Sequence, residues 1–438
     1  MGAGGNSFSS LKMLLPLRNR DFRLLWTGMT ASLVGDGVFL VALAWQVYQL
    51  SNAPTALSVV GVAVSLPHVL FLLAGGVASD RVDRRRLMIA ADVVRGAAMG
   101  ALGLLAAMGA LHLWQVIILG AVYGGATAFF GPAFDAIVPD VVPAELLGSA
   151  NSLDQFVRPA ALRLIGPALG GWLIALWGTG SAFLVDAATF FVSAACVLLM
   201  RPTPSPPGRL EEPWEARSSG AAVREVREGF RFVRSRIWLW GTFLAATLAY
   251  LLFMGPVEVL LPYIVKNDMG GGAGVLGWVF AMGGVGAIGG AIVVGHSGIP
   301  RRFVTFMYVS WAVATFAVAG YGLARVPWQA MVASLVFNAL ETAGAVVWAT
   351  TKHRLVPGNL LGRVSSFDWF ISIGLVPVSF AVTGPIASVL GARTTLVWAG
   401  LLGGVITLAA LFLPGMRDIE GDEEPSSKSS LVEELIPG

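Results

Sequence analysis

Twelve long runs of apolar residues, separated mostly by short polar breaks, constrain this chain more than any other feature. A helix crossing the hydrocarbon core of a bilayer needs about 20 such residues. The runs fall at about residues 24–48, 55–78, 87–108, 113–134, 153–177, 181–200, 238–262, 273–296, 303–323, 328–350, 367–390 and 394–414. The fifth and eleventh begin in polar, partly amphipathic stretches. Only 13% of the 438 residues are charged, against about 25% in a soluble domain. So few charges cannot cover a water-exposed surface of this size, whereas lipid makes the composition sensible. The expectation is an all-α membrane protein with twelve transmembrane helices.

The polar segment 201–237 divides the runs into two sets of six. It opens with Pro202, Pro204, Pro206 and Pro207 and continues as an amphipathic helix. Val223, Val226, Phe230, Val233 and Ile237 form its apolar stripe, beside Arg224, Arg227, Arg231 and Arg234. That pattern suits a helix lying on an anionic membrane face, and equally a solvated linker helix. The expected layout is a segment 1–23, a six-helix bundle 24–200, the linker 201–237, a second bundle 238–414 and an acidic tail 415–438. The tail has the composition of a disordered segment.

The two sets repeat one another. Val142-Pro143-Ala144-Glu145-Leu146-Leu147-Gly148, then Ser152-Leu153-Asp154, returns as Val356-Pro357-Gly358-Asn359-Leu360-Leu361-Gly362, then Ser366-Phe367-Asp368. Gly166-Pro167 returns as Gly384-Pro385. Paired halves in one membrane chain are the sequence mark of secondary transporters.

Lys and Arg set the expected orientation. With both termini in the cytoplasm, 23 of the 29 fall in cytoplasmic segments and only Lys266, Arg325 and Arg393 outside. No basic stretch interleaved with aromatics points to nucleic acid. The single cysteine, Cys196, cannot form an internal disulfide, and the N-terminal residues carry no cleavable signal. None of the four lysines follows a glycine, so there is no phosphate-binding loop and energy must come from a gradient. An intramembrane lipid-modifying enzyme is the rival class. It would need a nucleophile–base pair or metal ligands, but His68, His112, His296 and His353 are scattered and no H-E-x-x-H occurs. The expectation is no enzyme, no cofactor and no metal.

Between the second and third runs stands Gly76-Val77-Ala78-Ser79-Asp80-Arg81-Val82-Asp83-Arg84-Arg85-Arg86. It resembles the G-x-x-x-D-R-x-G-R-R signature of the major facilitator superfamily, with Asp83 in place of the second glycine. Gly166-Pro167-Ala168-Leu169-Gly170-Gly171 resembles the core of that superfamily's exporter-associated motif, although Leu162 stands where it expects a glycine. Asn19-Arg20-Asp21-Phe22-Arg23-Leu24-Leu25-Trp26, Gly35-Asp36 and Glu228-Gly229-Phe230-Arg231 look like the drug-efflux branch containing macrolide and enterobactin exporters. The fourth run lacks the arginine that other antiporter branches carry there. The resemblance covers about residues 18–415 and implies two pseudo-symmetric six-helix bundles rocking about a central cavity. It further implies a multi-pass monomer in the bacterial cytoplasmic membrane, exporting small organic substrates against protons. An uncoupled or importing transporter is the alternative.

Ionisable residues inside spans cost at least about 2.5–3.5 kcal/mol each and need a reason to be there. Asp36 and Glu341 lie near the midplane of the first and tenth runs. Low dielectric favours the neutral form of a carboxyl, which can then carry a proton. Asp36 is the first candidate for proton coupling, or a residue paired with a neighbouring helix at the Gly35–Gly37 kink. Glu341 is the second, or binds the basic group of a substrate. Arg163, midway along the fifth run, could hold substrate, neutralise either acid, or form an interhelical ion pair. Trp45, Tyr123, Tyr250, Phe253 and Trp348 are candidate cavity walls. Gly76, Asp80, Arg81, Arg84 and Arg85 form a candidate conformational latch, and Gly166, Pro167, Gly170 and Gly171 a helix-packing motif. Asp92 with Arg95 and Asp154 with Arg158 are spaced to pair along one helix face. Asp186 and Glu258 are expected near the outer ends of their spans, where snorkelling lowers the cost.

Overall fold

A computed structural model describes residues 14–201 and 219–420. The first part of the N-terminal segment, the proline-rich start of the linker and the acidic tail beyond Glu420 lie outside the described residues. Among those described, the structure is helical. In lipid each backbone N–H and C=O must find a partner within the protein, and a helix satisfies them all locally.

The first half comprises α1 (Arg20–Leu50), α2 (Pro54–Arg81), α3 (Arg84–Ala107), α4 (Leu113–Val141), α5 (Leu147–Pro159) and α6 (Gly166–Leu198). A single π-helical turn, Ala160–Ile165, joins α5 to α6. Leu147 to Leu198 is 52 residues long, about 78 Å at 1.5 Å per residue and far more than one bilayer. Gly178 divides it: at φ 79° it occupies a region favouring glycine, and the chain turns back there. The fifth span runs up to this bend and the sixth leaves it.

The linker helix α7 (Ser219–Ser235) leads into α8 (Ile237–Asn267), α9 (Ala273–Ser297), α10 (Phe303–Leu323), α11 (Pro327–Leu355), α12 (Gly358–Gly374), α13 (Val376–Leu390) and α14 (Ala392–Ala410). The eleventh span is the pair α12–α13, which meet at Leu375 ahead of Pro377. Among the described residues the spans therefore number twelve. Glu228 on α7 pairs with Arg363 on α12 at 2.9 Å, and Val233 is buried. The linker helix is thus docked on the second half. Its Phe230 remains exposed beside Phe367.

The halves share one packing plan. Spans two and four, three and four, and three and six pack together in the first half, as do eight and ten, nine and ten, and nine and twelve in the second. One apolar core, from Val38 and Phe183 to Leu260 and Tyr321, is shared by both halves, and each half has a further core of its own; large side chains such as Leu104, Val293 and Val389 point outward to lipid.

The halves meet along two seams, α2 against α13 and α6 against α9. On the face carrying the α1–α2 and α8–α9 turns they are also tied by polar groups. Tyr48 Oη donates to the Val259 carbonyl at 2.6 Å, Asn52 Nδ2 to Asn267 Oδ1 at 2.7 Å, and Lys266 to the Tyr48 carbonyl. Arg393 on that face holds Asp268 at 2.6 Å and the carbonyls of Gly322 and Ala324. On the linker face a gap of about 260 Å³ separates Val69, Leu72 and Leu73 of α2 from Phe370 and its neighbours on α12. The molecule is closed on the turn face and parted on the linker face.

The α6–α9 seam depends on missing side chains. A Cβ on Gly277 would stand 2.5 Å from the Pro167 carbonyl oxygen and 2.9 Å from Gly171 Cα. One on Gly289 of the same helix would meet nothing within 4 Å. Gly277→Leu is therefore expected to lose about 1–3 kcal/mol from overpacking, read as a lower Tm in detergent micelles. Gly289→Leu is expected to leave the Tm unchanged.

Candidate functional site

A cavity of about 380 Å³ lies between the halves at mid-depth. The first half contributes Leu40, Leu162, Arg163 and Pro167, and the second contributes Tyr250, Phe253, Phe337, Glu258, Asn338 and Glu341 among others. A side chamber of about 140 Å³ runs deeper into the second half. Its walls include Tyr250, Phe253, Trp311, Glu341, Trp348 and Asp368.

Arg163 reaches this cavity because of the π-turn. One extra residue per turn re-aims the side chains on such a segment, and turns of this kind concentrate at functional sites. The guanidinium donates to Asn338 Oδ1 at 2.9 Å and stands 4.0 Å from a Glu341 carboxylate oxygen. An arginine of the first half thus meets an acid of the second across the cavity. Asn338 and Glu341 are three residues apart on α11 and share a face. The Glu341 backbone carbonyl accepts from Trp311 Nε1 at 3.2 Å.

The aromatic walls are held by their own partners. Phe253 packs edge-on against Phe337 with ring centres 5.6 Å apart and lies 5.4 Å from Tyr250. Trp348 meets Trp311, Trp238 and Phe243 edge-on, and its Nε1 donates to Asp368 at 3.0 Å. Lys352 forms an ion pair with the same carboxylate. The chamber combines flat apolar faces with carboxylates already matched by cations, Glu341 by Arg163 and Asp368 by Lys352, a lining suited to amphipathic molecules.

Asp36 sits apart from this lining. It accepts a 2.6 Å hydrogen bond from Tyr123, whose ring packs 4.6 Å from Phe39 inside the first half. Tyr123, expected on the cavity wall, is instead buried, with its hydroxyl on the half-buried Asp36. Trp45, also expected there, packs against the apolar interior. Asp92 and Arg95 do pair along one face, both completely enclosed, with the guanidinium sandwiched 4.4 Å from the Phe130 ring and 4.3 Å from that of Phe190. Arg158 reaches Asp154 at 3.3 Å.

Asp186 corrects the expectation of a snorkelling acid. The sixth span starts at Gly178, so Asp186 stands two turns inside it. Its exposure is 0%, and neither carboxylate oxygen has a hydrogen-bond partner among the described residues. Glu258 likewise does not escape to the surface but joins the central cavity.

In the loop motif, Gly76 lies on α2 facing open space, and Asp80 and Arg81 form the last turn of that helix. Arg84 bonds Asp140 and the Ala136 carbonyl near the end of α4. Arg85 caps the end of α6 through the carbonyls of Val197 and Leu198. Asp83, the departure from the motif, caps α3 by accepting from the Arg86 backbone N–H at 2.9 Å. In the exporter-like motif, a Cβ on Gly166 would stand 2.6 Å from Gly37 Cα, and one on Gly170 3.0 Å from Val38. Gly171 faces Gly277 across the halves.

Two bundles, a seam closed on one face and a polar-lined cavity between them define a membrane transporter of the major facilitator fold. Solved structures agree on the fold. The nucleoside transporter NupG superposes with a TM-score of 0.67 over 90% of this chain and 98% of its own, at 10% identity. An inward-facing bacterial homologue of the iron transporter ferroportin gives 0.65 over 90% and 99%, at 14%. The family model of transmembrane secretion effectors matches residues 11–436, and the chain belongs to that family of the major facilitator superfamily. Among similar proteins, the multidrug efflux pump Tap of Mycolicibacterium fortuitum is 26% identical over 92% of this chain and 97% of its own. The macrolide efflux protein A of Streptococcus pyogenes is 23% identical over 91% and 96%. These proteins are transporters, not enzymes.

Breaking one side of the enclosed Asp92–Arg95 pair leaves an uncompensated charge. Arg95→Ala is expected to cost about 3–5 kcal/mol. Arg95→Met combined with Asp92→Leu is expected to regain most of it. Unfolding in mixed micelles measures both.

Proposed function

We propose that this chain is a secondary active exporter of small amphipathic or hydrophobic organic molecules, of drug, macrolide or siderophore type, driven by proton antiport with alternating access. The observation that carries the reading is the cavity spanned by Arg163 of one half and Glu341 of the other, closed on one face only. Its size falls within the range of about 300–1,000 Å³ typical of small-molecule sites. The names of the multidrug and macrolide relatives support the direction and the substrate class.

With both termini in the cytoplasm, the parted linker face is the cytoplasmic one and the described state is inward-open. Substrate enters from the cytoplasm or inner leaflet and lies against Tyr250, Phe253 and Trp348, its positive group toward Glu341. The two bundles, working within a monomer, then rock about the α2–α13 and α6–α9 seams. Gly76, Asp80, Arg81, Arg84 and Arg85 latch the state in which the linker face closes; the open space at Gly76 is where the other half would approach. Asp36 and Glu341 carry the coupling protons. One proton crossing ~150 mV yields roughly 3.5 kcal/mol, enough for a gradient of a few hundredfold.

Cells making the protein should accumulate less ethidium and less erythromycin than cells without it, and a protonophore should abolish the difference. Glu341→Gln should weaken export of the cationic dye at least about tenfold, the worth of one lost charge contact. Equal accumulation with and without the protein, across a broad panel of compounds, would remove the exporter reading. Export that persists after the proton gradient collapses would favour an uncoupled transporter. Gly76→Leu is expected to leave the Tm unchanged yet slow export, because the obstruction arises only when the linker face closes.

A further inference from the structure

The first half contains a second set of charged groups that the substrate cavity does not use. Asp36 on α1, Asp92 and Arg95 on α3, Tyr123 on α4 and Asp186 on α6 converge inside the bundle. Asp186 lies against α1, its Oδ1 in the space a Cβ on Gly35 would take, next to Asp36. Tyr123, which bonds Asp36, is within electrostatic reach of both acids and of Arg95. Arg158 acts on Asp36 from α5, but it is engaged with Asp154.

The charges do not balance if every acid is ionised. Arg95 neutralises one carboxylate, and its Asp92 partner is bonded directly to it. Asp36 and Asp186 remain; Tyr123 donates to Asp36, and Asp186 has no donor among the described residues. Two neighbouring carboxylates, Asp186 fully enclosed and Asp36 half-buried, do not both stay ionised. An ionised Asp186 would carry a full charge with no hydrogen bond at either oxygen, which is costly in a buried site. A proton removes that charge, and a metal ion does not suit: no three acidic or histidine side chains among the described residues are grouped to hold one.

We propose that Asp186 and Asp36 together form a proton-binding site within the first bundle, separate from the substrate site. This deepens the proton-coupling reading and rests on it. The proton reaches the pair from the central cavity: Leu40, which lines the cavity, is one helical turn from Asp36 on the same face of α1. On uptake a carboxylate of the pair becomes a carboxylic acid; on release the same O–H bond breaks and the proton returns to water on the other side. The pair also touches the moving parts. Gly37, next to Asp36, packs directly on Gly166 and Pro167. The π-turn that aims Arg163 ends immediately before these two residues. A change of charge beside Gly35 and Gly37 therefore acts on the segment that holds Arg163 opposite Glu341.

Infrared spectra of the protein in lipid nanodiscs at neutral pH test this directly. The wild type should show a protonated-carboxyl C=O band that diminishes in Asp36→Asn and in Asp186→Asn, and shifts in Asp186→Glu. Asp186→Asn should also still bind ethidium, by tryptophan quenching, within about a factor of two of wild type, while the proton release that accompanies binding is lost. A wild type without the band, or one whose band survives both Asn substitutions, overturns the proposal. So does a band that sodium ions displace at constant pH, since the pair would then be a cation site. Because the wild-type spectrum needs no variant to fold, a misfolded Asp186→Asn leaves that decision intact. Export found to ignore the proton gradient would undo the coupling reading, while the spectrum would still report on the carboxyl pair.

Discussion

Lipid gives a charge nowhere to go, so each ionisable group within the spans must be answered from inside the protein. Arg95 is the clearest case. Its guanidinium lies between two phenyl faces and against Asp92, with no route to water. Around it the first half is built as a rigid body with charge at its centre. The second half places its mid-depth acids, Glu341 and Glu258, at the cavity instead. The first half thus keeps Asp92, Arg95 and Asp186 inside its bundle and sends Arg163 to the interface, where the second half places Glu341 and Glu258.

Close helix packing makes that division workable. Without a hydrophobic force between helices in lipid, small residues let backbones approach until dispersion contacts dominate. Gly37 against Gly166 locks α1 to the fifth span, and Gly171 against Gly277 lets the two halves touch without interlocking side chains. A smooth seam of this kind permits tilting. Of the polar ties that hold the turn face shut, Asn52–Asn267 is exposed and Tyr48–Val259 is buried.

Much of this architecture is legible in the sequence. Apolar run length alone yields twelve spans, and the repeated V-P-x-x-L-L-G pattern marks the paired halves. Depth along the tenth and fifth runs singles out Glu341 and Arg163, which do meet across the cavity. What escapes a sequence reading depends on helix rotation and on local departures from regular helix. Tyr123 reads as a cavity aromatic, but the rotation of α4 turns it toward Asp36. The π-turn at Ala160–Ile165 has no sequence signature, and without it the aim of Arg163 cannot be derived. Asp186 reads as a snorkelling acid, but the bend at Gly178 places it two turns deep, against the bare flank of Gly35. Asn338 is recoverable from its spacing of three from Glu341, and Asp368 from its place opposite Asp154 in the repeat.

The joint use of an enclosed acid pair and a separate substrate cavity has one direct observable, the exchange of a proton for a molecule of substrate. Purified protein would be placed in sealed vesicles containing pyranine, with no initial pH difference, and an erythromycin gradient imposed alone. Protons should move against the antibiotic, and the dye should report a pH change that appears with the gradient and reverses when the gradient is reversed. Antibiotic crossing in a protein-dependent manner while the internal pH stays constant would contradict the coupling, and Asp36 and Asp186 would then be buried acids without a proton-carrying role.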